Sequence, residues 1–283
     1  GTSLLDANSN NAYTISIPTE DAAVSASDLN AVNALTTTPV NLTNVTSITA
    51  SDLSDLTTLN TNRGEFSNIT GIAAITVTDN GGGTDSVDYG TLQTIVDNYQ
   101  TNFNSAAVFS FQSGDTIDID SSSELSAFLT DIGSGALALT DQVITVDSGT
   151  TLSVADARSL AADTTGKVTA SITTGTRVSD LTTLRNPGGG NEENEWTITI
   201  DALDATVATA VQLNTIDAAT SVQVNANAIT EISGTYGDIT TLYASSGVTG
   251  LANEVITITD EITVTQANAC LLYTSDAADD NTC

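Results

Sequence analysis

Residues 222–260 read VQVNANAITEISGTYGDITTLYASSGVTGLANEVITITD. Two short apolar pieces come first, Val222-Gln223-Val224 and Ile229-Thr230-Glu231-Ile232, each alternating as a half-buried strand does. Gly237-Asp238-Ile239 then opens a stretch with apolar residues at helical spacing. Ile256-Thr257-Ile258-Thr259-Asp260 returns to strict alternation. Strand, helix and strand in this order, at about 25 to 35 residues per unit, require parallel strands with right-handed crossovers.

The same grammar extends through the chain. One strand type, often closed by an acid, recurs as Thr14-Ile15-Ser16-Ile17, Ile75-Thr76-Val77-Thr78-Asp79, Val143-Ile144-Thr145-Val146-Asp147, Thr197-Ile198-Thr199-Ile200-Asp201 and Ile256 to Asp260. The closing acids Asp79, Asp147, Asp201 and Asp260 are unevenly spaced, so the period is loose. A second type begins near Val40, Val108, Val168 and Val222. Glycine- and asparagine-rich insertions, such as Asn80 to Gly83 and Asn186 to Asn191, read as loops on one side of a stack.

Helix openings share a signature: Ser27-Asp28-Leu29, Ser51-Asp52-Leu53, Ser123-Glu124-Leu125, Ser179-Asp180-Leu181 and Gly237-Asp238-Ile239. A small or hydroxyl residue caps free N–H groups, and an acid in the first turn suits the positive end of the helix dipole. Apolar residues follow every three or four positions, as in Leu92, Ile95, Val96, Tyr99 and in Leu125, Phe128, Leu129, Ile132, so each helix buries one stripe. Because the strands alternate Ile or Val with Thr, one sheet face packs on helices and the other meets solvent. The fold expected is α/β, a repeat solenoid of parallel strands with short amphipathic helices on one side. Residues 1–269 would form a single elongated array. A compact doubly wound domain is the alternative, but its central strands would be apolar throughout.

Composition narrows the function classes. Thirty-five acids face five bases, Arg63, Arg158, Lys167, Arg177 and Arg185, for a formal charge of −30. Nucleic acid and anionic membrane are poor partners for such a chain. No stretch stays apolar over the about 20 residues that a helix needs to span a bilayer. Hydrophobic residues are 40% of the chain and aromatic ones 4%, which suits thin repeated layers and not one bulky core. His and Met are absent, and both cysteines, Cys270 and Cys283, lie in the closing segment 270–283. Nucleophile–histidine pairs and histidine-based metal sites are therefore excluded from residues 1–269.

Carboxylates remain. Asp115, Asp118 and Asp120, with Glu124, form the densest cluster, and Asp79, Asp85 and Asp88 flank a glycine-rich loop. Calcium takes clustered carboxylate and carbonyl oxygens, so these six aspartates are the candidate metal ligands; no cofactor is required. The competing reading makes Asp118 and Asp120 the outward residues of a strand running into a Ser-Glu helix cap. The closing acids Asp79, Asp147, Asp201 and Asp260 would repel one another if their strands stacked directly; otherwise they serve turns and caps. Paired threonines (Thr76/Thr78, Thr197/Thr199, Thr257/Thr259) suggest an ice-binding array, against the plainer reading of exposed strand residues. Trp196 reads as a packing residue at a strand start. A polysaccharide-active enzyme would need two acids flanking a cleft.

Two resemblances complete the reading. Within 196–269, the segments ITITD…TVTQANA, VQVNANAITEISG and LYASSGVTGLANEVITITD resemble the tandem repeats of giant surface proteins of marine cyanobacteria, including the one required for non-flagellar swimming. Related patterns occur in secreted hemolysin-like and adhesin-like repeat proteins. The resemblance implies a secreted or cell-surface location and a structural or adhesive role with extracellular partners, and it carries no catalytic residues. CLLYTSDAADDNTC, 270–283, resembles translated sequencing adapter. This implies a non-native tail and a fragment of a longer protein from environmental DNA, with end strands open to end-to-end association. The expected function is a non-catalytic structural or adhesive segment, with a calcium- or ice-binding module as the second reading and the glycan enzyme as the third.

Overall fold

The computed structural model describes residues 11–78, 86–102, 104–184, 194–201, 206–252 and 254–268. The chain divides into two compact units, Gly1–Asp147 and Ser148–Cys283. Asp79, Asp85, Arg185, the insertion 186–191 and the tail 270–283 lie outside the described residues.

In the first unit the elements are β1 (Ala23–Val24), α1 (Ala26–Asn33), β2 (Val40–Asn41), β3 (Ser47–Asp52), α2 (Leu53–Thr61), β4 (Phe66–Ser67), β5 (Ala74–Thr78), β6 (Val87–Asp88), α3 (Tyr89–Asn102), β7 (Val108–Phe111), β8 (Thr116–Ile119), α4 (Ser122–Ser134), β9 (Leu137–Ala138) and β10 (Val143–Val146). Strands β1, β3, β5, β7 and β9 form one parallel sheet in that order. Strands β6, β8 and β10 run parallel beside one another, as do β2 and β4. Each step of the chain thus contributes to more than one sheet. Ile48, Ile75, Phe109 and Leu137 are successive register partners at uneven intervals. The longest of these steps, from Ile75 to Phe109, contains α3, a helix of 14 residues.

The second unit holds β11 (Thr151–Leu152), α5 (Val154–Asp163), β12 (Val168–Ile172), α6 (Val178–Leu181), β13 (Glu195–Thr197), β14 (Val207–Thr209), α7 (Ala210–Asp217), β15 (Val224–Asn225), β16 (Glu231–Gly234), α8 (Tyr236–Ala244), β17 (Val248–Thr249) and β18 (Val255–Ile258). Here the step is uniform at its C-terminal end. Ala208 pairs with Ile232, Ile232 with Ile256, and Val224 with Val248, and the interval is the same each time. Strands β11, β12 and β13 are also parallel.

The fold is therefore α/β with parallel sheets. Its steps explain the uneven spacing of the closing acids, since each interval between them covers about two strand-to-strand steps. The acid-closed strands do not stack on one another. β5 lies between β3 and β7, and β18 beside β16.

Strand alternation has the expected physical outcome. In β5, Ile75 and Val77 are buried while Thr76 and Thr78 are half-buried; β8, β10 and β12 alternate likewise. Leu92, Ile95, Val96 and Tyr99 are all buried along α3. In α4 only Leu125 and Phe128 are, with Leu129 and Ile132 intermediate. Helices pack on helices from successive steps: α1 on α2, α2 on α3, α3 on α4, and α7 on α8.

The caps differ from the sequence expectation by two residues. Ser25, Ser121, Ser153 and Thr235 are the N-caps, each accepting from the backbone N–H of the acid three residues on: Asp28, Glu124, Asp156 and Asp238. Thr209 and Gln212 form a full capping box. The acid thus occupies the third helical position, where its own N–H needs the cap oxygen. Ser51 instead accepts from Ala26 N at 2.9 Å, capping the helix of the preceding step. Ser179 lies inside α6, whose cap position is Arg177. Helix α4 ends on Gly135 at φ 79°, donating to Asp131 O and Ile132 O, a left-handed position that glycine adopts at least cost.

In the sheet of β14, β16 and β18, the middle strand β16 is bonded on both sides and β18 on one. Val255, in β18, is 64% exposed, whereas Ile232 of β16 is 1% exposed. Amide hydrogen exchange is expected to be slower at Ile232 and Ser233 than at Ile256 and Thr257. Equal protection in the two strands would contradict this pairing.

Candidate functional site

Two of the scarce bases meet in one hollow of the second unit. Ser153 caps helix α5, and β12 runs into the turn Thr173-Thr174-Gly175-Thr176, with Gly175 at φ 79°. Arg177 follows at the head of α6. These segments line an open cleft of about 600 Å³ together with Arg158, Asp180 and Thr183. Arg158 sits in the second turn of α5, and helical side chains lean toward the N-terminus, which carries its guanidinium back toward Ser153.

The turn is held from within. Thr173 Oγ1 donates to Leu152 O at 3.0 Å, Thr176 Oγ1 to Thr173 O at 2.6 Å, and Thr183 Oγ1 to Asp180 O at 2.7 Å. Ser153 Oγ donates to Asp156 Oδ2 at 2.7 Å. The guanidinium groups are not so engaged. Among the described residues the one ion pair is Lys167 with Glu195 at 3.0 Å; that lysine, with Thr169, holds the Glu195 carboxyl below its ordinary range. Arg158 and Arg177 are exposed and make no ion pair with any described residue. Asp180 is the acid within the cleft lining.

Four of the candidate metal ligands, Asp88, Asp115, Asp118 and Asp120, lie among the described residues of the first unit. Asp115 is buried, and its Oδ2 accepts from Gln112 N at 2.9 Å in the turn between β7 and β8. Asp118 is half-buried on the opposite strand face from Ile117 and Ile119, in register with Asp88, and accepts from Ser86 Oγ. Asp120 is exposed just past the strand. Desolvation first, then Glu124, Asp88, Asp118 and Asp147, raise its pKa. Asp88 Oδ1 accepts from Thr91 N at 2.7 Å in the first turn of α3, and Glu124 Oε2 from Asp120 N at 2.9 Å. Asp88 and Glu124 line a hollow of about 440 Å³ with Thr57, Asn60 and Thr91. Among the described residues, no group of three or more Asp, Glu, His or Cys is arranged to hold a metal ion.

Of the closing acids, Asp260 Oδ1 accepts from Tyr236 N at 2.8 Å, at the start of α8. In the first threonine pair, Thr76 meets Ser110 at 3.3 Å and Thr78 donates to Gln112 Oε1 at 3.0 Å, while in the third Thr257 is in register with Ser233. Trp196 is fully buried in β13.

Sequence reading did not single out the arginine cleft. Its signal was the register: Thr151 and Leu152 pair with Ser171 and Ile172. Arg158 and Arg177 are separated by nearly the same interval, so they fall at neighbouring places on successive steps once that pairing is known.

Comparison with protein-family models, with curated proteins and with solved structures found no match.

Proposed function

We propose that this chain is a non-catalytic structural or adhesive segment of an extracellular or bacterial cell-surface protein, built as a repeat solenoid of parallel strands. The observation that carries the proposal is the recurring parallel register, in which Ala208, Ile232 and Ile256 align at equal intervals across β14, β16 and β18, with capped helices between the strands. Repeats of this kind bury a continuous core between neighbours while presenting one surface many times. The acids support the same reading, because Asp28, Asp88, Glu124, Asp156, Asp238 and Asp260 all bond backbone N–H or cap hydroxyl groups at helix starts. Its partners are extracellular components met along that surface.

Thermal unfolding of the full chain in matched calcium, magnesium and sodium chlorides tests this role against the calcium-binding one. Each salt is expected to raise Tm by screening the net charge of −30, with calcium and magnesium equal. A shift specific to millimolar calcium would replace the spacer reading with a calcium-rigidified module. Turnover of any glycan substrate would remove the non-catalytic assignment.

A further inference from the structure

We propose that the cleft of Arg158 and Arg177 binds the anionic groups of an acidic polysaccharide, sulfate esters or carboxylates, with the neighbouring hydroxyls meeting the sugar. The inference deepens the adhesive side of the proposed role and rests on that reading for its biological setting; the binding chemistry stands on the cleft alone.

The first argument is charge placement. With 35 acids for five bases, a guanidinium near this surface has carboxylate partners in excess. Arg158 and Arg177 nevertheless remain without an ion pair among the described residues, on two separate elements, facing one hollow. A guanidinium presents a planar fork of donors matched to two-oxygen anionic groups. Two such forks address one sulfate or carboxylate from both sides, or two charged groups along a chain.

The second argument is the lining. Ser153, Thr173, Thr176 and Thr183 spend their hydroxyl protons within the chain, so their oxygens are placed to accept from sugar hydroxyls, and Thr174 can both donate and accept. Val154 and Ala155 are the apolar lining residues, so an apolar ligand would gain little. A volume of about 600 Å³ is in the range of sites for ligands of one or two rings and exceeds what a lone ion fills. The first turn of α5 faces the cleft through Val154 and Ala155, and its dipole adds positive potential. Asp180, within the lining, opposes binding and limits affinity.

The net charge gives the site an unusual salt dependence. At low ionic strength the whole chain repels a polyanion; at about 0.15 M salt the screening length is about 8 Å, which removes distant repulsion and leaves contacts at bonding distance. Binding should therefore strengthen from low to moderate salt before it weakens.

The test is calorimetric titration of the full chain with short dextran sulfate and with oligogalacturonate, using neutral dextran and sodium sulfate as comparison probes. Saturable binding of a charged oligosaccharide is expected, with sodium sulfate competing weakly and neutral dextran silent. In the double variant R158Q/R177Q, affinity should fall at least about tenfold, with melting little changed because neither exposed side chain has an ion pair among the described residues. Arg63→Gln, outside the cleft, should bind as the parent does, and Asp180→Asn should bind more tightly. Absence of binding by both charged oligosaccharides, or equal binding by R158Q/R177Q, would overturn the site. Binding of free sulfate without gain from the sugar chain would overturn the polysaccharide class. Failure of the spacer reading is separately visible as calcium-specific melting or glycan turnover.

Discussion

Trp196→Ala is expected to lower the stability of the chain by about 3–5 kcal/mol, as deleting a large buried aromatic side chain does. Trp196 is fully buried, the largest of the completely enclosed side chains. It sits mid-strand in β13, where Ala170 is its register partner in β12. The small partner makes room for the indole, and truncation would leave two small side chains facing a void. Its carbonyl accepts from the buried Thr220 Oγ1 at 2.9 Å, a bond that the substitution retains. The lost packing alone accounts for a change of this size.

Urea unfolding followed by circular dichroism measures the effect. Because Trp196 is the single tryptophan, its emission provides an independent probe in the parent chain, with a blue-shifted native spectrum expected. Trp196→Phe should recover a large part of the loss by refilling most of the space. A midpoint shift in Trp196→Ala equivalent to less than about 1 kcal/mol would mean that the site collapses freely or that the indole is not enclosed.

How much of this arrangement was legible follows from what each signal measures. Alternation of Ile or Val with Thr reports which strand face is buried, and it placed β5, β10 and β18 to within a residue or two. Helical spacing likewise found α3 through Leu92, Ile95, Val96 and Tyr99. Neither signal reports which strand lies beside which. The pairing of β5 with β7, and of β16 with β18, depends on the length of the intervening segment. In the first unit that length varies with helix size and loop insertion. Cap chemistry was legible as composition but misplaced in position. Ser-Asp-Leu draws the eye to the serine before the acid, while the bond runs from the acid's own N–H to a hydroxyl three residues upstream. Ser51 was read as capping the helix that follows it, whereas it caps α1 at Ala26, a full step earlier in the chain.

The site was less legible for a related reason. Acid clusters stand out in a sequence because like residues are adjacent, yet adjacency along a strand sends Asp115, Asp118 and Asp120 to different environments: a buried turn, a half-buried strand face and an exposed strand end. Arg158 and Arg177 are far apart along the chain and meet only through the step between β11 and β12.

Tyr89→Phe tests the buried polar arrangement of the first unit, and its cost should depend on pH. Tyr89 Oη donates to Asp131 Oδ2 at 2.6 Å, while its ring meets Phe128 edge-on at 4.9 Å. Burial and the neighbouring carboxylate push the phenol's pKa far upward, so it remains a donor at every working pH. Burial also raises the Asp131 pKa above its ordinary 3.8, with the bond from Tyr89 opposing the shift. Since the folded form holds that proton more tightly than the unfolded one, Asp131 costs stability as pH rises from 3.8 through its folded pKa. Removing the hydroxyl raises the folded pKa further and deepens that cost. The ring contact survives as phenylalanine, which isolates the hydrogen bond. Near pH 7 the variant should lose about 1.5–2 kcal/mol, the low end for a bond to a charged group, because Asp131 is only half-buried and water can partly replace the phenol. As pH falls below the folded pKa the carboxyl becomes neutral and the loss should shrink to about 1 kcal/mol. Urea midpoints of parent and variant across the weakly acidic range give the difference directly. In the Asp131→Asn background the same substitution should cost an amount that no longer varies with pH. A loss independent of pH in the native background, or one that grows on acidification, would show that the Tyr89 hydroxyl does not hold a charged Asp131.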